Sequence, residues 1–231
     1  MWYAAIHGQD QILKTLLQEH NADPNLCHRD DEVPIRMTIP QGYLNVVKGL
    51  LEDPRTDPNI FDGYGTALHE SVFMEKIAIV KEFLFDPRTN INFQDKRGSS
   101  PVDVAAMKGS NELVKLMSGD NRLNPNKRDS LSRGAINWAV IDQRADLVRT
   151  FIEHVRVDVN LRNRWGQSSL AFACGRSNVE IVDLILSNAR TDVSAKGWGP
   201  RTPLGSAAKY GHTNVVMRLL EDPRMDPNAR D

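Results

Sequence analysis

Few side chains in this sequence have the types and spacing that catalysis or metal binding requires. His20, Cys27 and His28 lie close together and carry donor atoms that zinc binds. A structural zinc site needs four converging ligands, usually from two closely spaced pairs, and a fourth ligand is missing here. The sequence contains no P-loop, GxSxG, HExxH, CxxC or GxGxxG motif. We therefore expect surface and turn roles for these three residues, and neither a metal nor a cofactor.

The second cysteine, Cys174, lacks the surroundings of a nucleophile. A reactive thiol needs a lowered pKa and an adjacent base, and the sequence suggests no partner for Cys174. It falls at a small-residue position that it shares with Ala106 and Ala208. We expect a buried, unreactive thiol and no catalytic residue, so the chain is not expected to be an enzyme. The alternative is that these residues form the recognition arm of a larger multidomain protein whose catalytic or effector domain lies outside them.

Arginines recur along the chain, each four residues before the Asn or Ser that ends a polar turn. Four of the six follow an aspartate by two residues. Arginines stacked about 10 Å apart repel by only about 0.4 kcal/mol in water, and salt screens most of that repulsion. We interpret the series as a feature that stabilises the turns, with an anion-binding stripe as the alternative. This arginine ladder comprises Arg55, Arg88, Arg122, Arg156, Arg190 and Arg224.

The turns themselves are periodic. They recur in steps of 33 or 34 residues as ADPN (22–25), TDPN (56–59), TNIN (89–92), LNPN (123–126), VDVN (157–160), TDVS (191–194) and MDPN (225–228). Apolar anchors recur in the same register, for example Leu68, Val102 and Ile136. We therefore predict one array over residues 1–231. Its seven repeats start near residues 1, 26, 60, 93, 127, 161 and 195.

Each repeat carries two helical patterns separated by a short break. In the fourth repeat, Val102, Ala105 and Ala106 form the apolar face of a first helix, and a second face begins at Leu113. Helices of about 8–10 residues are too short to be stable alone, so they must pack on their neighbours. The polar segment 95–98 then reads as a hairpin-like turn. The sequence predicts an all-α repeat solenoid of stacked helix-turn-helix units.

The start of the first helix carries a recognisable motif. The pattern T-P-L-H occurs in variant form at residues 66–69, 100–103, 168–171 and 202–205, and residues 207–220 match AAxxGHxxVVxxLL. The chain thereby resembles the ankyrin-repeat family, in which helix pairs stack and β-hairpin-like turns join them. Its DPR-TDPN turn, one residue longer than the family norm, resembles arrays of filamentous fungi. The resemblance implies a non-catalytic scaffold for protein–protein interaction.

The chain also departs from that family. Only His69 keeps the histidine of the motif, while Arg36, Asp103, Asn137, Ala171 and Gly205 replace it. We therefore expect most hydrogen bonds from this position to neighbouring turns to be missing, and stability to be moderate. The first repeat lacks its hairpin, and neither end resembles the polar capping repeats of solenoids. We expect the array to continue beyond residue 231.

Composition narrows the class of protein. Apolar residues make up 40% and charged residues 26%, and the net charge of −1 gives no overall field for nucleic acid or membranes. Two cysteines cannot form a disulfide framework, which favours a reducing compartment. No apolar run approaches the roughly 20 residues of a membrane span, and no secretory signal is present. The expected location is the cytoplasm, with the nucleus as the alternative.

The resemblance implies that hairpin tips and first helices line a concave groove where partners bind. Basic residues there outnumber the acidic Asp142, and Trp and Arg are enriched in interface hot spots. We expect a protein partner with an acidic or mixed acidic–apolar segment. Nucleic acid is less favoured, because it usually needs a larger positive field. A tryptophan packed on the neighbouring hairpin is the alternative for Trp165 and Trp198. The predicted binding residues are Lys96, Arg97, Met107, Lys108, Arg133, Ile141, Arg164, Trp165, Arg176, Trp198, Arg201, Lys209 and Tyr210.

Overall fold

The computed structural model describes residues 1–28, 32–154, 156–197, 199 and 201–229. Over these residues the chain forms fourteen α-helices in seven pairs, which confirms the predicted helix-turn-helix repeats. Strand-like pairing in the same ranges is confined to a bridge between Arg162 and Ser168.

The first helix of each pair, here the inner helix, has four to eight residues and is mostly shorter than expected. The inner helices are α1 (Trp2–Ile6), α3 (Pro34–Met37), α5 (Ala67–Phe73), α7 (Pro101–Lys108), α9 (Ala135–Ile141), α11 (Ser169–Cys174) and α13 (Pro203–Lys209). The second, outer helix has eight or nine residues. The outer helices are α2 (Asp10–Gln18), α4 (Leu44–Glu52), α6 (Ile77–Phe85), α8 (Asn111–Ser118), α10 (Ala145–Glu153), α12 (Val179–Leu186) and α14 (Thr213–Leu220).

The chain divides into two compact units. The N-terminal unit comprises Met1–Val104 with Asp120–Leu123, and the C-terminal unit comprises Ala105–Gly119 with Asn124–Asp231. In the N-terminal unit α4 packs on α6 and α5 on α6. The apolar faces of α4 and α6 include Leu50 and Phe83, both fully buried. Burying a side chain of this size contributes about 1.5–3 kcal/mol, so packing between repeats compensates for the short helices.

The C-terminal unit is built in the same way. Its inner helices α9, α11 and α13 pack in succession, with small buried residues such as Ala139, Ala173 and Ala207 at the contacts. Cys174 is fully buried in this layer, as is Ala106, whereas Ala208 is exposed. Burial raises the pKa of the Cys174 thiol, which agrees with an unreactive core cysteine.

The arginine ladder links each repeat to the one before it. In the N-terminal unit the Arg88 guanidinium donates to the carbonyl oxygens of Leu51 (2.6 Å), Pro54 (3.0 Å) and Thr56 (3.0 Å), at the end of α4. Its own turn supplies a carboxylate, Asp86, at 2.7 Å. The last carbonyls of a helix have no partner within the helix. Arg88 therefore acts as a C-terminal cap supplied by the next repeat.

Other arginines of the ladder have the same arrangement. Arg122 donates to the Leu84 carbonyl at 2.6 Å, and in the C-terminal unit Arg224 donates to the Leu186 carbonyl at 2.7 Å. The hydrogen bonds from Arg224 lower the pKa of Asp222 against the opposing effect of burial. The guanidiniums are thus occupied by carbonyls and carboxylates. This supports the interpretation of the ladder as a turn-stabilising feature over that of an anion-binding stripe.

The asparagines that end most of the turns form a second ladder. The Asn59 amide donates to the Arg88 carbonyl (2.8 Å), and its oxygen accepts from the Asn90 backbone N–H (2.7 Å). Asn126 makes the equivalent pair with the Arg156 carbonyl and the Asp158 N–H, both at 2.8 Å. Because one side chain supplies both donor and acceptor, it joins consecutive turns as a strand pair would. This explains why the turn sequence recurs so faithfully.

The expected loss of hydrogen bonds at the motif histidine position is partly wrong. His69 Nε2 lies 3.1 Å from the Ser99 carbonyl of the next turn. Asn137 also reaches the next repeat, donating to Ser169 Oγ at 3.0 Å, while its oxygen accepts from the Gly134 N–H. Arg36 forms ion pairs with Asp62 and Glu70 of the next repeat. Both Asn137 and Arg36 contact the next repeat because their side chains, like that of histidine, carry N–H donors far enough from the backbone.

Asp103 accepts hydrogen bonds from the Ser100 N–H (2.7 Å) and hydroxyl (2.6 Å) within its own repeat. Ala171 and Gly205 have no side-chain donor, so the expectation holds for them.

Candidate functional site

The hairpin tips of the fifth and sixth repeats are each held by a polar side chain inside the turn, Asp129 and Asn163. Asn163 Oδ1 accepts from the backbone N–H groups of Trp165 (3.0 Å) and Gln167 (3.1 Å). Gly166 takes a φ of +76°, which favours glycine. The Arg164 N–H also donates to the Leu131 carbonyl of the preceding tip at 2.8 Å. These bonds fix the backbone that carries Arg164 and Trp165.

Both tip side chains face solvent. Trp165 is 44% exposed, and the guanidinium carbon of Arg164 lies 5.6 Å from the centre of its ring. Among the described residues, Arg164 has no carboxylate within ion-pair distance. A partly exposed aromatic ring and a cation therefore lie together at a tip whose backbone is held by hydrogen bonds.

Below the tip lies a concavity of about 400 Å³ between the sixth and seventh repeats. The tip contributes Gln167, and the helices α11 and α13 with the residues that follow them contribute the walls. It is lined by Gln167, Ala171, Phe172, Gly175, Arg176, Arg201, Ser206 and Tyr210. The size falls within the range of pockets that bind small groups in proteins.

The concavity is positively charged. The guanidinium carbon of Arg176 lies 5.1 Å from the centre of the Phe172 ring, and Tyr210 is 57% exposed beside it. Among the described residues no carboxylate lines the concavity, and neither Arg176 nor Arg201 has an acidic partner there. Elsewhere in the same unit several arginines are paired with carboxylates, for example Arg133 and Arg162.

Six of the predicted residues occur on the exposed side of the sixth and seventh repeats, or line the concavity there. Lys209 Nζ lies 5.0 Å from the centre of the Tyr210 ring, which extends the positive charge along α13. We call this set the basic surface. It consists of Arg164, Trp165, Arg176, Arg201, Lys209 and Tyr210.

The remaining predicted residues lie apart from that concavity. Arg133 is only 17% exposed, bonds Asp129 at 2.8 Å and covers the Trp138 ring at 3.7 Å, so it serves its own repeat. Ile141 and Met107 are half-buried and Lys108 is exposed, at or near the ends of their inner helices. Trp198 falls outside the described residues.

Lys96 and Arg97 belong to the N-terminal unit. They are exposed on its tip, where Asp95 Oδ1 accepts from the Arg97 and Ser99 N–H groups at 2.8 Å. Lys96 Nζ lies 3.4 Å from the centre of the Tyr64 ring on the preceding tip. These two cations are available to solvent within their own unit.

The lining residues absent from the predicted set are Gln167, Ala171, Gly175, Phe172 and Ser206, and the last two share a position in the repeat. Both occupy the inner-helix position held by Trp138 in the fifth repeat, in steps of 34 residues. That shared register was the signal that would have placed them on the same face.

The candidate metal ligands have other surroundings. His28 stacks on Trp2 with ring centres 4.3 Å apart, and the exposed Cys27 thiol lies 3.8 Å from the Asn25 carbonyl oxygen. In the part of the chain that the structure describes, no group of three or more His, Cys, Asp or Glu side chains could hold a metal ion. Nor does any helix there combine the length and the apolar character that crossing a bilayer requires.

The chain is a helical repeat solenoid. Its helix pairs follow one another, and hydrogen bonds from arginine and asparagine side chains link their turns. The family model for ankyrin repeats (three copies) matches residues 1–95, 68–163, 102–197 and 136–231. The chain therefore belongs to the ankyrin-repeat family. Ankyrin repeats are generally modules for protein–protein interaction, as the binding surfaces of solenoids allow. No curated protein sequence matches the chain.

Solved structures show the same fold. The ankyrin repeat domain of Bcl-3, a member of the IkappaB protein family, is 21% identical with a TM-score of 0.84, covering 95% of this chain and 96% of that one. The human ASB11 ankyrin repeat domain is 22% identical with a TM-score of 0.72, covering 99% and 98%. The ankyrin repeat protein EF0377 is 25% identical with a TM-score of 0.72, covering 81% and 96%.

Proposed function

We propose that this chain is a non-catalytic scaffold that binds a protein segment on the basic surface of its C-terminal unit. The segment presents carboxylates next to apolar side chains. The observation that carries the proposal is the group Arg164, Arg176 and Arg201, which have no acidic partner among the described residues. Exposed aromatic rings, Trp165 and Tyr210, lie beside them.

Several other arginines of the unit are paired with carboxylates. Among its described residues, the C-terminal unit pairs five other arginines with carboxylates of the same unit. These are Arg133, Arg149, Arg162, Arg218 and Arg224. A guanidinium without a partner attracts a carboxylate of another chain, and bidentate pairing adds geometric specificity. The positive charge is therefore local, although the whole chain has a net charge of −1.

The aromatic rings supply the apolar half of the site. Trp and Tyr are common hot-spot residues, and truncating one at the centre of an interface costs about 2 kcal/mol or more. Trp165 lies on a backbone held by Asn163, so little conformational entropy is lost when a partner covers it. A segment that alternates carboxylates and apolar groups can pair with the arginines and cover the aromatic rings at the same time.

The experiment is a selection of peptides from a random library on the immobilised chain, followed by affinity measurements. Selected sequences should be enriched in Asp or Glu beside apolar residues. Trp165→Ala should weaken their binding by about thirtyfold. Arg149→Gln, at an exposed position on the outer helix α10, is the control away from the basic surface and should bind like the wild type. Neutral or basic selected sequences, or equal affinities for Trp165→Ala and the control, would refute the proposal.

Single-stranded nucleic acid is the second candidate, because arginines beside exposed rings can hold a backbone while bases stack. Single-stranded oligonucleotides belong in the same assay. Tighter binding of an oligonucleotide than of any selected peptide at physiological salt would favour this candidate. The alternative of a recognition arm of a larger protein is tested by sequencing the full reading frame around residues 1–231.

A further inference from the structure

The side chains that line the concavity between the sixth and seventh repeats are rich in hydrogen-bond donors. Arg176 and Arg201 carry guanidiniums, and Tyr210 carries a hydroxyl. Gln167 uses its side-chain oxygen to accept from the Asn163 amide at 3.1 Å, which leaves its own NH₂ group for the concavity. Such a lining matches a ligand whose atoms are acceptors and whose charge is negative.

Ser206 is a second and independent indication of a ligand. It is 93% buried, being only 7% exposed, and lines the concavity. Its hydroxyl has no hydrogen-bond partner among the described residues. This hydroxyl can therefore donate to an acceptor atom that binds in the concavity. The hydroxyl lies on α13, whose backbone is held by packing and by the Thr202 cap on the Gly205 N–H at 3.0 Å.

The charge of the concavity distinguishes between two kinds of anion. Two guanidiniums without carboxylate partners among the described residues supply two positive charges. A phosphate monoester carries about −1.5 to −2 charges near neutral pH and three strong acceptor oxygens. A carboxylate carries one negative charge and two oxygens, so it would leave one guanidinium and several donors unused.

We propose that this concavity binds a phosphorylated side chain of the protein partner. The phosphoryl oxygens accept from Arg176, Arg201 and Ser206, while the carbon atoms of the side chain contact Phe172 and Tyr210. The inference rests on the proposed function, because the phosphoryl group arrives as part of a bound protein segment. Phosphorylation of that segment would then strengthen its binding.

The experiment uses phenyl phosphate, benzoate and inorganic phosphate as probes of the chain at matched ionic strength. Binding is followed by the amide NMR signals of Gly175, Ser206 and Tyr210. At pH 7.5 phenyl phosphate should bind about tenfold more tightly than benzoate, as expected for one additional charge-assisted contact. It should also bind more tightly than inorganic phosphate, because the ring adds contacts with Phe172. Lowering the pH to 5 should weaken the binding of phenyl phosphate, because its second pKa is near 6. The binding of benzoate should not change.

Substitutions of the lining residues test whether phenyl phosphate binds in the concavity. Arg176→Gln and Arg201→Gln should each weaken the binding of phenyl phosphate about tenfold. Ser206→Ala should weaken this binding by a smaller factor. Arg149→Gln is the control and should bind like the wild type. Thermal melting checks that each variant is folded, and Arg176→Gln should melt like the wild type because its side chain is exposed.

The outcomes separate this inference from the proposed function. Benzoate binding as tightly as phenyl phosphate would overturn the phosphoryl inference and leave an acidic protein partner in place. Inorganic phosphate binding as tightly as phenyl phosphate, or variants with unchanged affinity, would also overturn it. Failure of the proposed function would instead appear as a peptide selection without acidic residues.

Discussion

Replacing Arg88 by Gln is the sharpest test of what holds consecutive repeats together. The guanidinium makes hydrogen bonds to the Leu51, Pro54 and Thr56 carbonyls at 2.6–3.0 Å and an ion pair with Asp86 at 2.7 Å. The hydrogen bonds to Asp86 raise the pKa of Arg88, so the group is charged at any pH where the chain is folded. Its charge assists every one of these bonds.

The expected loss of stability follows from these contacts. Hydrogen bonds of a charged group contribute about 1.5–3 kcal/mol, and removing one partner of a buried ion pair costs about 3–5 kcal/mol. The Arg88 side chain is 32% exposed, which reduces both values through solvent screening. We therefore expect Arg88→Gln to lower the free energy of unfolding by about 2–3 kcal/mol.

Urea denaturation followed by circular dichroism measures this loss, with the slope compared between variants. Arg97→Gln is the control. It removes the same charge from an exposed position of the same unit and should change stability by less than about 0.5 kcal/mol. Because solenoids can unfold in parts, hydrogen exchange should also increase first around residues 50–60 in the Arg88 variant. Equal denaturation midpoints for the two variants would refute a structural role of the ladder.

Four further predictions follow from the same structure. Burial lowers the pKa of His69 below its ordinary value, so the unfolded chain binds more protons and stability falls as the pH drops through about 6.5. His69→Asn, which introduces the amide found at this position in the fifth repeat, should flatten the melting temperature between pH 7.5 and 5.5, and an unchanged slope would contradict this. Asn126→Ala removes two hydrogen bonds between turns and should lower the unfolding free energy by about 1–2 kcal/mol in urea titrations; no loss would mean that the asparagine ladder is dispensable. The second repeat, with its four-residue inner helix, should exchange amide hydrogens faster at residues 32–52 than at 164–197, and uniform exchange would show otherwise. Arg164→Glu should slow association with a selected acidic peptide and reduce its salt dependence, and stopped-flow rates equal to those of the wild type would exclude a steering role.

The repeat architecture was predictable because periodicity is a property of the sequence itself. Seven turns and their apolar anchors recur in steps of 33 or 34 residues, and the helix pairs follow from the apolar spacing between them. The aspartates before Arg88 and Arg224 also indicated pairing of the arginines. Their main acceptors, however, are backbone carbonyls of the preceding helix, which any residue type supplies and no sequence pattern marks.

Side-chain contacts between repeats were less predictable for a related reason. The absence of histidine at Asn137 and Arg36 indicated missing bonds, yet both side chains reach the next repeat. Conversely, Arg133 has the type and position of a binding residue but bonds Asp129 four residues away. In each case the outcome depends on distances across the stack, which residue type alone does not determine.

The most direct test of the central claim is hydrogen exchange of the chain with and without a selected acidic peptide. Binding on the basic surface should slow exchange at residues 163–167, 171–176 and 201–210. The amides of the outer helices α10 and α12 should exchange as they do in the unbound chain. Slowed exchange confined to those outer helices, or to the turn at 186–194, would contradict the claim and place the partner on another face of the repeats.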